Sequence, residues 1–252
     1  MMRKSAIFLF FVTFCLTILG LSAQGGIAVP PQTARTKVKT EEKQKTEDSK
    51  QRPVAKSKVY LLHSDLLRKD ASHPDAQIVT GNVKFRHDSV YMYCDSACYY
   101  DKVSSFEAFG NVKMVQGDTL FLYGDRLYYD GLTQIAEMRC NVRMENRTTT
   151  LLTDSLNYDR VYNLGYFFDG GTLMDEQNVL TSEWGEYSPQ TKQSVFNYNV
   201  KLVNPQFTLT SDTLRYNTAS KIADIVGPSD IWSDANHIYS EKGTYNTVTG
   251  KA

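Results

Sequence analysis

The sequence predicts an all-β fold built from repeated units of about 29 residues. Two columns of residues carry this period. The first column consists of tyrosines at separations of 30, 29, 29, 29 and 29 residues: Tyr99, Tyr129, Tyr158, Tyr187, Tyr216 and Tyr245. The second column consists of the acidic residue four positions before each of these tyrosines. Apolar and polar residues alternate between the columns, as in half-buried strands, and no window after residue 23 has an apolar stripe at helical spacing. A period held by two independent columns is typical of a repeat architecture.

The first element along the chain is an apolar run. Residues 6–21 are apolar apart from isolated threonines and a cysteine, they follow a basic start, and small residues precede a cleavage position before Gln24. This pattern predicts a secretory signal peptide over residues 1–23. The alternative is a retained membrane anchor, but the run is shorter than the ~20 residues that a spanning helix needs. Cys15 lacks the small residues that precede a lipidated cysteine, so no lipoprotein is predicted.

A polar linker is predicted over residues 24–57. The segment TARTKVKTEEKQKTEDSKQRPVAK contains two valines and no aromatic residue. It cannot bury enough apolar surface to offset the entropy lost on ordering, so we predict disorder here and a folded domain over residues 58–252. The whole chain has 28 basic and 28 acidic residues. Because no global charge favours a polyanion, nucleic acid is not predicted as a partner.

Each unit is predicted to contain two turns and two or three short strands. Unit starts are assigned to Gly81, Gly110, Cys140, Gly170, Tyr198 and Gly227. Before and after each unit start, apolar residues occupy alternate positions in the same phase, so they would lie on one face of a single strand. This predicts a long strand that runs through the unit start and bends there. The apolar residue three positions before each acid and the one two positions after it would lie on opposite faces of a continuous strand. Because both are expected to be buried on one face, the strand must break at the acid, which is predicted to cap backbone N–H groups at a corner. Asp or Asn directly after the tyrosine marks a second turn.

One face of these strands is predicted to point inward. In the fourth unit the pattern places Thr172 and Met174 on that face. Such a face can be an ordinary core, although its methionines adapt to varied apolar partners and favour a binding surface. The predicted inward residues are Val83, Phe85, Met92, Phe106, Val112, Met114, Leu122, Met138, Val142, Met144, Leu151, Phe168, Leu180, Phe196, Val200, Leu202, Leu209 and Ile238.

No motif in the sequence predicts catalysis, a metal site or a cofactor. The four histidines share no metal-ligand spacing, and Cys94, Cys98 and Cys140 have no histidine in a zinc-binding pattern. Hydrolase-elbow, phosphate-loop and His-Glu-x-x-His motifs do not occur. Acids that recur once per unit indicate architecture, because catalysis needs one constellation in one place. An oxidising compartment permits a disulfide, but three cysteines leave one unpaired and the pairing stays open.

One phrase recurs through the units: acid-x-x-x-Tyr-Asp, followed by Gly-Asn-Val-x-hydrophobic. It is seen in Asp125 to Asp130 and then in Cys140 to Val142. This phrase resembles the OstA-like, LptA-type family of periplasmic lipopolysaccharide-transport proteins, and the resemblance covers residues 59–252. It implies an open, twisted β-jellyroll, taco-like in shape and solenoid-like in its stacking, whose apolar interior holds the acyl chains of lipid A.

The resemblance implies a lipid conduit without catalysis of its own. The inward residues would contact lipopolysaccharide, and no cofactor would be needed. Partners would be other envelope transport proteins of the same β-jellyroll type, joined by strand addition, or further copies joined end to end. The protein would be exported to the periplasm, with an association with the outer membrane left open. Two alternatives stay open: a structural or protein-binding β-solenoid, and a carbohydrate-active β-helix enzyme.

The units depart from the family phrase at several places. Cys140 and Tyr198 replace the glycine at two unit starts, and Trp184 and Gly185 break the usual pattern of the fourth unit. The last residues, TYNTVTGKA, align with YYDGLTQIA at 128–136, so the sequence stops inside a unit. We therefore expect that the chain is a fragment of a longer protein, or that a partner completes its last strand.

Overall fold

A computed structural model describes residues 57–71, 73–233 and 236–251. The predicted signal peptide, 1–23, and all of the predicted linker except Ser57 lie outside these residues. The strands are β1 Tyr60–His63, β2 Leu66–Asp70, β3 His73–His87, β4 Val90–Tyr100, β5 Ser105–Gln116, β6 Leu120–Asp130, β7 Ile135–Asn146, β8 Thr149–Asp159, β9 Leu164–Phe167, β10 Gly171–Asp175, β11 Asn178–Ser182, β12 Trp184–Tyr187, β13 Gln193–Asn204, β14 Phe207–Asn217, β15 Ile222–Ser233 and β16 Asn236–Asn246.

The described strands form one antiparallel sheet in nearly sequential order. The main path runs β1-β3-β4-β5-β6-β7-β8-β10-β11-β13-β14-β15-β16, with β2 beside β3 and with β9 and β12 bridging β8 and β13. The all-β prediction is confirmed. The prediction of short strands is wrong for most of the chain, because β3 to β8 and β13 to β16 each run for 11 to 15 residues.

Most of the long strands are interrupted by a bulge near the middle. In β5, pairing with β6 passes from Phe109↔Arg126 directly to Val112↔Gly124, which leaves Gly110 and Asn111 unpaired. Both residues have positive φ, 73° and 47°. Two residues in the left-handed region also stand at 81–82, 140–141 and 198–199. A bulge of this kind bends its strand, so the bend predicted at the unit start is present, and the bulges together form what we call the bend line.

Hydrogen bonds between acid and amide side chains fix the bend line. Asn111 Nδ2 donates to Asp95 Oδ2 over 2.8 Å, Asn141 Nδ2 donates to Asp125 Oδ2 over 2.6 Å, and equivalent bonds join Asn82 to Asp65 and Asn199 to Glu183. The predicted corner is therefore real, but these acids chiefly accept from asparagine side chains. In one case an acid also accepts a backbone N–H, from Asn141 to Asp154 over 3.2 Å.

The sheet folds in two about the bend line. His87 Nδ1 lies 2.7 Å from Tyr129 Oη, although the two residues belong to opposite ends of the strands. Strand pairing places Leu120 level with His87, and in a flat sheet the nine steps from Leu120 to Tyr129 would span about 30 Å at ~3.3 Å per residue. The first wall consists of the half of each long strand that lies at the His87 end of the sheet. The halves that end at the tyrosine column form the second wall, and the inner faces of the two walls enclose the core.

The predicted inward face coincides with this core at 16 of its 18 positions. Those side chains have at most 2% of their surface exposed. Phe168 and Ile238 are the exceptions, with 45% and 44% exposed. The inward prediction is wrong for Phe168, whereas Ile238 pairs with the buried Ile231 and so lies on the inner face, exposed at the end of the sheet. Ile238 lies on β16, which pairs with no described strand other than β15. Its half of that strand therefore lacks a neighbour on one side to cover it.

Phe168 is outward because the fourth unit begins one residue earlier than Gly170. Phe167 and Leu173 are fully buried, whereas Thr172 and Met174 are only partly buried, so the prediction for that pair is wrong as well. With Asp169 as the unit start, the spacings from Cys140 through Tyr198 to Gly227 become a uniform 29 residues. A shift of one residue moves every side chain to the other face of a strand.

The second predicted turn is present as a side-chain-capped turn. Asp130 Oδ1 accepts the N–H groups of Leu132 and Thr133, and Asn217 Oδ1 accepts those of Ala219 and Ser220. Successive turns also stack on one another, since Thr218 N–H donates to Lys192 C=O over 2.9 Å. This stacking keeps the tyrosine ends of the hairpins in register.

Candidate functional site

The interior between the walls is a continuous apolar column. Apolar side chains from successive strands lie side by side along each wall, as in Met92↔Met114 and Met114↔Leu122 of the first wall. Near the β1 end of the sheet, the rings of Phe85 and Phe106 stack with centroids 4.2 Å apart. Since these side chains are almost wholly buried, the walls touch throughout. A guest among them requires the walls to move apart.

The two walls meet along a line of polar residues, which we call the seam. The first wall contributes one residue per unit at spacings of 29, 30, 29 and 29: His87, Gln116, Asn146, Asp175 and Asn204. The second wall contributes the tyrosine column and the turn that follows it. The contacts across the seam are made mainly between side chains, and we call the group of contacts in each unit a clasp.

The first clasp contains a buried histidine. His87 has no exposed surface, Tyr129 Oη lies 2.7 Å from its Nδ1, and Arg160 Nη1 donates to the same nitrogen over 3.1 Å and also bonds to Tyr129 Oη. Because Arg160 can only donate, Nδ1 is an acceptor and the imidazole is neutral. Burial, and secondarily the Arg160 charge, lower the pKa of His87. Burial raises the pKa of Tyr129 to about 12.

The second and third clasps use amides. Gln116 Nε2 donates to Asn163 Oδ1 over 2.8 Å, and Tyr158 Oη donates to the same oxygen over 3.2 Å. In the third clasp Asn146 Oδ1 accepts from Tyr187 Oη over 3.2 Å and from Lys192 Nζ. These bonds leave Gln116 Oε1 buried without a partner.

The fourth clasp contains an ion pair. Asp175 has no exposed surface, and Lys221 Nζ contacts its two carboxylate oxygens at 2.8 and 2.7 Å. Tyr216 Oη donates to Asp175 Oδ2 over 2.7 Å, and Asn178 Nδ2 donates to Tyr216 Oη over 2.9 Å. Burial, followed by the Asp175 carboxylate, raises the pKa of Tyr216.

The fifth clasp continues the network of the fourth. Asn204 Nδ2 donates to Asn178 Oδ1 over 2.8 Å, and Asn178 Nδ2 donates to Thr247 Oγ1 over 3.1 Å. Asn178 therefore connects two successive clasps, and this end of the seam is the more densely hydrogen-bonded one.

Sequence reasoning found the tyrosine column but missed the polar column of the first wall that meets it. Its signal was present, because the polar residues at strand ends keep the same period as the tyrosines. A further column stands five residues after each tyrosine, and its members all have positive φ: Ser104, Gln134, Asn163, Lys192, Lys221 and Gly250. Lysines at two of these positions, where glycine or asparagine relieves strain more readily, indicate that the side chain itself has a role.

Other candidate sites are less developed. Cys94, Cys98 and Cys140 are free thiols, and burial raises the pKa of Cys94 to about 12 and raises that of Cys98. Within the described ranges no three His, Cys, Asp or Glu side chains converge as metal ligands. A cleft of about 520 Å³ on the outer surface is lined by residues that include Arg143 and Asp154. None of the helical segments in the described part of the chain has the length and hydropathy to span a membrane.

Comparisons with known proteins identify the family. The chain is similar to LptH, described as the LptA-homologous periplasmic component of the conserved lipopolysaccharide transport device from Pseudomonas aeruginosa, with 13% identity and a TM-score of 0.37 over 39% of this chain and 76% of that one. That similarity is too low to bear on function. A search of curated proteins finds no match. The profile of the OstA-like protein family matches residues 56–212, well over half of the 252 residues. The chain therefore belongs to the OstA-like protein family.

Proposed function

We propose that the protein is a periplasmic conduit that helps carry lipopolysaccharide from the inner to the outer membrane, with its acyl chains between the two walls. The observation that carries the proposal is the construction of the seam. An apolar interior runs between walls that are joined along one side mainly by side-chain hydrogen bonds, while backbone pairing connects neighbouring strands within each wall. The interior can therefore open sideways without loss of strand pairing.

The energetics favour an acyl guest once the walls part. Each methylene buried in an apolar site gains ~0.8 kcal/mol, so a chain of a dozen carbons gains about 10 kcal/mol. Breaking a neutral clasp costs roughly 1 kcal/mol per hydrogen bond. Because equivalent apolar positions recur along the column, the gain stays nearly constant along the path, and the lipid meets no deep trap.

Edge strands supply a means of joining to partners. β16 has one strand neighbour, and Trp232, Ile238 and Tyr239 on β15 and β16 are 43% to 57% exposed. A strand from a protein of the same fold, or from a second copy, would pair with β16 and cover these residues. Under this proposal the apolar columns of the two molecules become continuous.

One observation favours a second candidate, a structural or protein-binding scaffold. The inward side chains fill the space between the walls, as expected of a permanent core. In that case the seam would stay closed, and partners would use the outer faces or the edges.

Site-specific photocrosslinking in living cells separates the two candidates. The crosslinker replaces Met92, Leu122 or Leu209, which are buried in the column, or Lys113, whose ammonium group lies over two outer aromatic rings. The conduit predicts lipopolysaccharide adducts at the three column positions and none at Lys113. If folded protein gives no adduct at any column position, the conduit proposal is wrong and the scaffold stands.

A further inference from the structure

Three cationic side chains take part in the described clasps: Arg160, Lys192 and Lys221. They differ in whether a carboxylate neutralises their charge. Lys221 has Asp175 at 2.7 Å and Glu176 at 3.1 Å. Among the described residues, Arg160 and Lys192 have no carboxylate within ion-pair distance. Both side chains are partly buried, so their charges lack much of the hydration that water would give them.

Comparison of the units shows that the first-wall residue facing Arg160 and the one facing Lys192 are not carboxylates. Asp175, Asn146 and His87 occupy the same position of the first wall in their units. At that position Asp175 gives Lys221 an anion, whereas Asn146 gives Lys192 a neutral amide and His87 gives Arg160 a neutral imidazole. At the third clasp no described carboxylate pairs with the cation, and at the first the nearby Asp88 carboxylate lies 3.8 Å from His87 Nε2 and forms no ion pair with Arg160.

Unused hydrogen-bonding groups and a second basic residue add to this picture. Arg160 Nε is buried and has no hydrogen-bond partner. The pKa of Lys192 is lowered by burial and then by the charge of Arg147, so two positive groups lie close together at the third clasp. Between the two clasps, Gln116 Oε1 is a buried acceptor without a donor, which suits the hydroxyl of a polar headgroup.

We infer that the seam at Arg160 and Lys192 binds the anionic headgroup of an amphiphile whose acyl chains enter the interior. The inference rests on the proposed function and adds to it the charge of the headgroup and the residues that meet it. An entering phosphate accepts from Arg160 or Lys192 and takes the place that the Asp175 carboxylate holds beside Lys221. The guanidinium group then leaves His87 and Tyr129, or the ammonium group leaves Asn146, so binding of the headgroup and release of the clasp are one event.

Two amphiphiles with the same alkyl chain test this inference. Dodecyl phosphate and dodecyl maltoside are titrated into the purified chain below their micelle concentrations, with inorganic phosphate as a third arm, and binding is measured by calorimetry. We expect dodecyl phosphate to bind about tenfold more tightly than the maltoside, as one charge-assisted contact warrants. Inorganic phosphate alone should bind far more weakly, because it lacks the buried chain.

Variants assign the preference to the seam. Arg160→Gln and Lys192→Gln should each lower the affinity for dodecyl phosphate several-fold relative to that for dodecyl maltoside, which should not fall, because each substitution also weakens a clasp and eases opening. Lys201→Gln, on an exposed outer position, is the matched control and should change neither. If Arg160→Gln fails to fold, Arg160→Lys keeps the charge and should keep the preference for phosphate.

The outcomes separate the inference from the function on which it rests. If neither amphiphile binds, the interior takes no acyl chain and both proposals are wrong. If both bind equally and the variants have no effect, the conduit stands and the headgroup site does not. If inorganic phosphate binds as tightly as dodecyl phosphate, the site is a free-phosphate site, and the inference of a lipid headgroup is overturned.

Discussion

Asp175 is the residue on which the fourth clasp depends. It is fully buried and neutralises Lys221, whose side chain is 13% exposed. Asp175→Asn leaves that ammonium group with only the exposed Glu176 as counter-ion, so we expect a loss of about 2 kcal/mol in the free energy of unfolding. Urea denaturation measures it. Asp230→Asn, which breaks the exposed pair with His237, should cost under about 0.5 kcal/mol, and equal losses in the two variants would contradict the assignment.

His87 makes the first clasp sensitive to acid. Its pKa is lowered in the folded protein by burial and by Arg160, while Asp88 and the Ser57 contact oppose the shift and Tyr129 is neutral. The unfolded chain therefore takes up a proton near pH 6.5 before the folded chain does. The contribution of His87 to stability is complete above that pH and is lost as the pH falls.

The pH effect is measured as a difference between two proteins. Unfolding free energies at pH 7.5 and 5.5 are compared for the natural chain and for His87→Gln, which cannot titrate. We expect the natural chain to lose more stability on acidification than the variant. Identical losses would mean that folding does not change the pKa of His87, and a smaller loss in the natural chain would mean that folding raises it.

At the scale of the strand, the bulge needs both an unusual backbone conformation and a hydrogen bond. Asn111 has φ of 47° and donates to Asp95. Asn111→Gly removes the bond but tolerates the backbone, whereas Asn111→Ala loses both. We expect thermal or urea unfolding to show losses of roughly 1 kcal/mol for the glycine variant and roughly 2 kcal/mol for the alanine variant. If alanine is no worse than glycine, strain at the bend line is not a determinant of stability.

Strand faces were predictable from the sequence wherever the bulge kept a constant length. Alternation through Phe106, Ala108 and Val112 continues across the bend, because two unpaired residues preserve parity. The fourth unit defeated the same reasoning at Gly170, since a glycine there imitates a unit start. The tyrosine spacing from Tyr158 to Tyr187 is an unbroken 29 residues and supports the alignment on Asp169.

The seam was not predictable from alternation, because it is a tertiary feature. His87 and Tyr129 are 42 residues apart and meet only after the sheet has folded about the bend line. The polar column of the first wall, with His, Gln, Asn, Asp and Asn, recurs with the period of the units. Because these side chains share no single chemical type, the column is hard to recognise in the sequence. Apolar periodicity finds the surface that each wall buries, whereas the polar residues that join the walls follow from the bend, which no single strand specifies.

At the scale of the whole molecule, the seam should open without unfolding of the sheet. Leu180→Cys places a thiol in the buried column of a chain that also carries Cys94→Ala, Cys98→Ser and Cys140→Ser. Adding Tyr216→Phe removes one hydroxyl from the fourth clasp. We expect maleimide labelling at position 180 to accelerate about fivefold, as a loss of ~1 kcal/mol implies. Amide hydrogen exchange within β13 and β14 should not change.

A matched variant controls the labelling experiment. Tyr239→Phe removes a hydroxyl that bonds to Glu241 on an exposed strand and should leave the labelling rate as it was. If labelling accelerates only together with amide exchange in β13 and β14, the interior is reached by unfolding of the sheet, and a lateral opening is refuted.

Closure by clasps also determines the size of the cargo. A sealed tube admits only molecules thinner than its bore, from one end to the other. A folded sheet that is closed along one side by a seam imposes no such limit. The polar headgroup of a guest can remain in water while its acyl chains move through the interior. If the seam opens as proposed, the width of the hydrophobic portion determines what is admitted, and a sugar chain of any length could pass along the outside of one unvarying scaffold.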